Sequence, residues 1–140
     1  MPLLLRSMLY VPGNSMKKIR KAADELNPDA VILDLEDAVP FEDKERARLL
    51  VRDSPKLFKD KSIYVRVNGF ETGLTRADLE AINPGNFSGI ILPKCSGPEH
   101  VRRLEEILDE LGASHIGIIP LVETALGVVR GYEIASSSRR

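Results

Sequence analysis

Cysteine is almost absent: Cys95 stands alone in 140 residues, which excludes an internal disulfide and any cysteine-based zinc site. Histidine is nearly as scarce. His100 and His115 fall in a helix start and a pre-strand loop, neither with a second histidine at metal-ligand spacing, and both read as surface residues. An excess of charge of one sign is also missing. The 20 basic and 21 acidic residues are mixed along the chain for a net of -1, so no basic stripe argues for nucleic acid or an anionic membrane as partner. Long apolar runs are lacking too. The N-terminal stretch from Pro2 to Leu5 is too short to span a bilayer and is broken by Arg6, which argues against a signal peptide or membrane anchor and for a cytoplasmic protein. What is present is 43% hydrophobic residues, enough for one ordinary core, and residues 1–140 are expected to form a single domain.

Short apolar runs alternate with helical patterns. A first strand over Ser7–Val11 ends at the turn-forming Pro12-Gly13-Asn14, and Ser15 is placed to cap a helix carrying Ile19, Ala22, Ala23 and Leu26 on one face. A second strand over Ala30–Leu33 precedes a charged helix from about Asp43 to Ser54-Pro55. The third strand spans Ser62–Val67, and Thr75 with Asp78 resembles a capping box for a short helix. Gly89–Leu92 is a fourth strand. Ser96 to Glu99 reads as a second capping box, opening a helix with Val101, Leu104, Ile107, Leu108 and Leu111 inward. A fifth strand over Ile116–Val122 leads to a helix from about Thr124. Leu9, Val31, Leu33, Ile63, Val65, Ile90, Ile91, Ile118 and Leu121 are expected to be buried in the sheet, with Leu104 and Leu111 packed on it.

Five βα units with nearly continuous apolar strands specify an α/β fold with a parallel sheet covered by helices. Two architectures fit: a complete doubly wound sheet, which the length favours, and the first five units of a (β/α)8 barrel, which needs about 250 residues in full. Either way the C-terminal strand ends share one side, where ligands bind. The residues there are Pro12-Gly13-Asn14, then Asp34, Glu36 and Asp37, then Arg66 and Asn68, then Lys94, then Glu123. Carboxylates gathered after a buried strand are costly to place without a cation or basic partner. Plainer roles exist as well. Glu36 and Asp37 could cap a loop, Arg66 could pair with them structurally, Lys94 and Glu123 could pair across neighbouring strands, and Lys17, Lys18, Arg20 and Lys21 could be a solvated helix face.

The segments RSMLYVPGNSMKKIRKA, VILDLEDAVPFEDKERAR, YVRVNGFETGL, GIILPK and IIPLVETALGV occur in the order seen in the citrate lyase beta-subunit-like group. The chain thereby resembles the HpcH/HpaI aldolase and citrate lyase superfamily, which includes malyl-CoA and citramalyl-CoA lyases. The resemblance covers nearly everything from Arg6 to Arg140 and implies a partial TIM (β/α)8 barrel. It also implies that Glu123 is a magnesium ligand and that Arg66 holds the carboxylate of a keto-acid of the oxaloacetate, glyoxylate or pyruvate class. Glu36 and Asp37 would border the metal site, holding its waters or orienting Arg66. Tyr10, Lys17, Lys21 and the segment Asp43, Lys44, Glu45, Arg46, Ala47 and Arg48 would contact substrate or its coenzyme A portion.

The implied reaction is reversible carbon–carbon cleavage of a 3-hydroxyacyl-CoA into an acyl-CoA and a keto-acid. The resemblance further implies a second metal-binding aspartate on a strand beyond Arg140, so the chain is expected to be an N-terminal portion, inactive alone, of a protein that assembles as trimers or hexamers. Two alternatives stand beside it. One is a class II pyruvate-type aldolase that does without coenzyme A; the other is a non-catalytic doubly wound binding module or decayed fragment.

Overall fold

The computed structural model describes residues 4–140. Pro2 and Leu3, where the N-terminal apolar run begins, lie outside the described residues. The elements are β1 (Met8–Pro12), α1 (Met16–Asp24), β2 (Ala30–Asp34), α2 (Lys44–Arg52), β3 (Ser62–Arg66), α3 (Thr75–Ile82), β4 (Gly89–Leu92), α4 (Pro98–Glu110), β5 (Gly117–Pro120), α5 (Ala125–Val129) and α6 (Gly131–Ala135), with short 3-10 turns between several of them. No helix among the described residues is long and apolar enough to cross a membrane.

All five strands are parallel and lie side by side in chain order. That order decides between the two architectures. A doubly wound sheet reverses its winding direction part-way, whereas strands that always step the same way, with right-handed crossovers, place every helix on one face. The sheet is therefore the first five units of a TIM-type (β/α)8 barrel. Its helix-covered face carries Val31, Leu33, Ile63, Val65, Ile90, Leu92 and Ile118 in the main core. The alternate positions Ala30, Ile32, Tyr64 and Ile91 form a second, smaller cluster on the opposite face, which corresponds to a barrel interior.

Helix α4 shows why the pattern folds this way. Val101, Leu104, Ile107 and Leu108 fall on one face and are buried, and fully burying a leucine such as Leu104 stabilises by about 1.5–3 kcal/mol. Leu9, Leu111 and Leu121 are only half-buried, because the first and last strands and the end of α4 have no neighbour to complete their cover. Helix α1 stops at Asp24, so Leu26 leaves the apolar face and is exposed. Ser15 caps α1 through the Lys18 N–H. Neither capping box forms. Thr75 and Asp78 are drawn into contacts with Asn68 and Arg48 instead, and Gly97 takes the position before α4 with no side-chain cap. Cys95 is fully buried in the main core rather than loosely packed.

Candidate active site

At the C-terminal rim β2 ends on Asp34 and β3 ends on Arg66, paired in register. Both occupy the face opposite the helices. Arg66 donates through Nε and Nη2 to the two oxygens of Asp34, each at 2.7 Å. Asp34 also accepts the main-chain N–H of Glu36 at 3.0 Å and of Ala38 at 3.1 Å. Burial works against the Asp34 charge, but the Arg66 fork and these N–H groups outweigh it and hold the carboxyl below the usual aspartate range. The guanidinium also lies over the Tyr10 ring, 4.7 Å from its centroid, so one arginine is fixed from two sides. Burial raises the Tyr10 hydroxyl above its ordinary value, with the Arg66 charge opposing.

The third arm of Arg66, Nη1, lies 3.2 Å from Glu36 Oε2, and Lys94 Nζ lies 3.1 Å from Glu36 Oε1. Both cations are within ion-pair range, yet neither Glu36 oxygen receives a directed hydrogen bond, although the side chain is only 4% exposed. Burial therefore pushes the Glu36 carboxyl above its normal value despite two cationic neighbours, and the charge of exposed Asp37 adds to the push. Lys94 stands two residues beyond β4 and its ammonium is held protonated by Glu36. Its main-chain N–H donates to Glu123 Oε1 at 2.8 Å. Glu123 follows β5, is exposed, and keeps its other oxygen without a protein partner among the described residues. Glu123, Lys94, Glu36, Arg66, Asp34 and Tyr10 thus form one connected cluster on one rim.

Behind this rim lies a second, buried layer built around Asp78, to which sequence reasoning gave no part in the site. Asp78 is fully buried and accepts from Arg48 Nε at 2.8 Å and from the main-chain and side-chain N–H groups of Asn68, each at 2.7 Å. Asn68 Nδ2 also reaches the Leu35 carbonyl at 3.0 Å, and Thr75 Oγ1 donates to the Asn68 carbonyl. Lys44 donates to the carbonyls of Leu35 at 2.7 Å and Glu36 at 3.0 Å. Desolvation lowers its ammonium pKa from the ordinary lysine value. These contacts pin the loop that carries Glu36. Gly13 closes the other side: its N–H donates to the Asp34 carbonyl at 2.8 Å, and a Cβ there would sit 2.7 Å from that same oxygen.

The segment 43–48 therefore divides. Ala47 is fully buried in the core and cannot meet a ligand, Lys44 and Arg48 are spent on the protein itself, and Glu45 and Arg46 face outward. Arg46 donates to the Asn14 carbonyl and Asp43 accepts from the Asn14 amide, tying the loop after β1 to α2. Lys17 and Lys21 are exposed on α1. Asp34 and Asn68 stood at strand ends in the sequence and lie on the rim or just behind it. Asp78 carried no signal beyond its position in a helix.

Among the described residues no three His, Cys, Asp or Glu side chains form a group that could hold a metal ion. Magnesium asks for less, since it binds through one or two carboxylates and keeps waters or substrate oxygens for the rest. The half-engaged carboxylate of Glu123, linked through Lys94 to the buried Glu36, fits that demand.

Comparison with known proteins gives the family. Residues 6–140 match the family model HpcH/HpaI aldolase/citrate lyase. The chain is 32% identical over 147 residues to citrate lyase subunit beta of Leuconostoc mesenteroides subsp. cremoris, covering 98% of this chain and 48% of that protein. It is 35% identical over 136 residues to the (3S)-malyl-CoA thioesterase of Cereibacter sphaeroides, covering 96% and 46%. The fold matches that of protein CitE from Mycobacterium tuberculosis, solved with magnesium, acetoacetate and coenzyme A, with a TM-score of 0.72 and 33% identity over 94% of this chain and 44% of that one. The chain thus spans about half the length of the curated relatives it matches. Strand order, rim residues and a match over all but the first five residues lead to one conclusion: the chain belongs to the HpcH/HpaI aldolase/citrate lyase family.

Proposed function

We propose that this chain forms the keto-acid and metal side of the active site of a magnesium-dependent acyl-CoA lyase. The reaction is the reversible cleavage of a 3-hydroxyacyl-CoA into an acyl-CoA and a small keto-acid. The observation that carries this reading is the single cluster joining Glu123 to Arg66 through Lys94 and Glu36. Glu123 is the magnesium ligand, and the ion, when bound, supplies polarisation of the keto-acid carbonyl and charge stabilisation of the oxyanion. Arg66 binds the keto-acid carboxylate. Its plane is already set by Asp34 and Tyr10, so orientation is built in before substrate arrives. Glu36 orients the third arm of Arg66, Nη1, which Asp34 does not engage, and Asp37 is exposed to solvent.

On the coenzyme side, the exposed Lys17 and Lys21 and the outward-facing Arg46 are the groups available for phosphates. Among the described residues Glu123 belongs to no group of three His, Cys, Asp or Glu side chains that could hold a metal ion. The chain by itself is therefore expected to bind magnesium weakly and to turn over no substrate until a second acidic ligand is supplied. The internal commitment of Lys44 and Arg48 favours one other reading, an aldolase acting on a pyruvate-type substrate without coenzyme A. Calorimetric titration with magnesium plus oxaloacetate or glyoxylate tests the site. Glu123→Ala should abolish metal-dependent binding and Arg66→Ala should abolish keto-acid binding. If neither substitution alters the titration, the assignment is wrong, and coenzyme A binding that depends on Lys17 and Lys21 separates the lyase from the aldolase.

A further inference from the structure

Lys94 combines two features that ordinary surface lysines lack. Its backbone is left-handed, with φ 51, a region that non-glycine residues adopt at a cost and retain where surrounding contacts impose it. Those contacts are visible on both sides of the residue. Cys95 N–H donates to the Leu121 carbonyl at 3.1 Å and Leu121 N–H to the Leu92 carbonyl at 2.8 Å, locking the end of β4 to the end of β5. In that conformation the two ends of Lys94 point at different acids. The main-chain N–H holds Glu123, and the ammonium lies 3.1 Å from Glu36 and 3.6 Å from Glu71. Glu36 is the group with a buried, negatively charged side chain and no directed hydrogen bond, so the ammonium neutralises it without satisfying it. The lysine side chain is 44% exposed, which leaves it an open path away from the rim.

We propose that Lys94 is a built-in counter-ion: its ammonium, held at Glu36 and Glu71, supplies positive charge to the rim in the absence of ligand and moves aside when a divalent metal arrives with a keto-acid. This rests on the metal assignment of Glu123 given above and adds a role for Lys94. The residue is a positioning group on two counts, since its N–H aims Glu123 and its charge sets the metal affinity. A metal entering alone must overcome the repulsion of the ammonium. A metal entering with a keto-acid brings a carboxylate that the displaced ammonium and Arg66 can face. Lys94 therefore makes metal capture depend on substrate, so that the empty site does not hold the ion tightly.

The test is a manganese(II) titration of the full 140-residue chain, followed by the electron paramagnetic resonance signal of the free ion, with and without pyruvate. Lys94→Gly removes the ammonium while keeping the N–H and suiting the left-handed backbone. Lys94→Met removes it with the side-chain length retained, and Lys94→Arg keeps the charge. If the ammonium and a metal on Glu123 are taken to be about 6 Å apart in water, their repulsion is such that Lys94→Gly and Lys94→Met should each tighten metal binding in the absence of pyruvate by about tenfold. Pyruvate should then add less to their affinity than it adds for the unsubstituted chain, while Lys94→Arg should behave as the unsubstituted chain does. Unchanged or weaker metal binding in both neutral variants overturns the role of Lys94, provided the unsubstituted chain binds and Glu123→Gln does not. Absence of any metal binding in the unsubstituted chain and both neutral variants, with pyruvate present, overturns the metal assignment and this proposal together.

Discussion

Replacing Asp78 by alanine should be among the most damaging single changes in this chain, although Asp78 touches no proposed ligand. Its carboxylate is fully buried and satisfies the Arg48 guanidinium and two N–H groups of Asn68. Removing one partner of a buried ion pair costs about 3–5 kcal/mol, because the remaining charge stays buried and unpaired. Arg48 has little to fall back on: its side chain is 13% exposed and Nη2 already lacks a hydrogen-bond partner. Against a domain stability of about 5–15 kcal/mol, that loss is large, and it corresponds to a fall in melting temperature of roughly 10–20 °C. Urea and thermal denaturation followed by circular dichroism read it directly. The double variant Asp78→Leu with Arg48→Met should be more stable than Asp78→Leu alone, with a coupling of about 1–3 kcal/mol. A loss below about 1 kcal/mol for Asp78→Ala, or additivity of the pair within about 0.5 kcal/mol, would refute the reasoning and return Arg48 to the list of ligand contacts.

Two further outcomes follow from the rim. Asp34 has its folded-state pKa lowered, so its stabilisation is present above the unfolded value of about 3.9 and is lost as pH falls through the folded value. Glu36 has the opposite sign: its raised folded-state pKa means that stability declines as pH rises from the ordinary glutamate value through the raised one. Urea unfolding between about pH 3 and 8 should show Asp34→Asn losing the acid-limb contribution and Glu36→Gln no less stable than the unsubstituted chain at neutral pH. Gly127→Ala should destabilise by about 1–3 kcal/mol, since its Cβ would collide with the Cys95 carbonyl beside Lys94. Gly131→Ala, with nothing within 4 Å, should be neutral or better, and thermal melts of the two variants compare them.

Much of the fold was legible because each strand is a short apolar run punctuated by proline, glycine or asparagine, and each helix carries a 3.6-residue stripe. The strand order was not. Crossovers of this length serve a doubly wound sheet as well as a barrel, and only the pairing in chain order separates them. The first capping box misled for a related reason: Thr75 and Asp78 have the right spacing for a local role, but Asn68 in the preceding loop and Arg48 on α2 offer them buried partners. Position after a strand was legible in the sequence, and the parallel sheet brings Glu36, Arg66, Lys94 and Glu123 to one rim. Ala47, Lys44 and Arg48 show where a motif read as a block exceeds what its residues can do, because successive helix positions face the core, the loop and the solvent in turn.

Paramagnetic broadening of amide NMR signals by manganese(II) in the presence of pyruvate tests most directly whether one site unites these residues. The amides of Tyr10, Glu36, Arg66, Lys94 and Glu123 should broaden together, and Glu123→Gln should restore all of them at once. A groove between α3 and α4, lined by Arg76 and Glu110, lies outside this cluster, and the amide signals of those two residues should stay sharp. Broadening centred on that groove, or unaffected by Glu123→Gln, would contradict a metal and keto-acid site at the C-terminal rim.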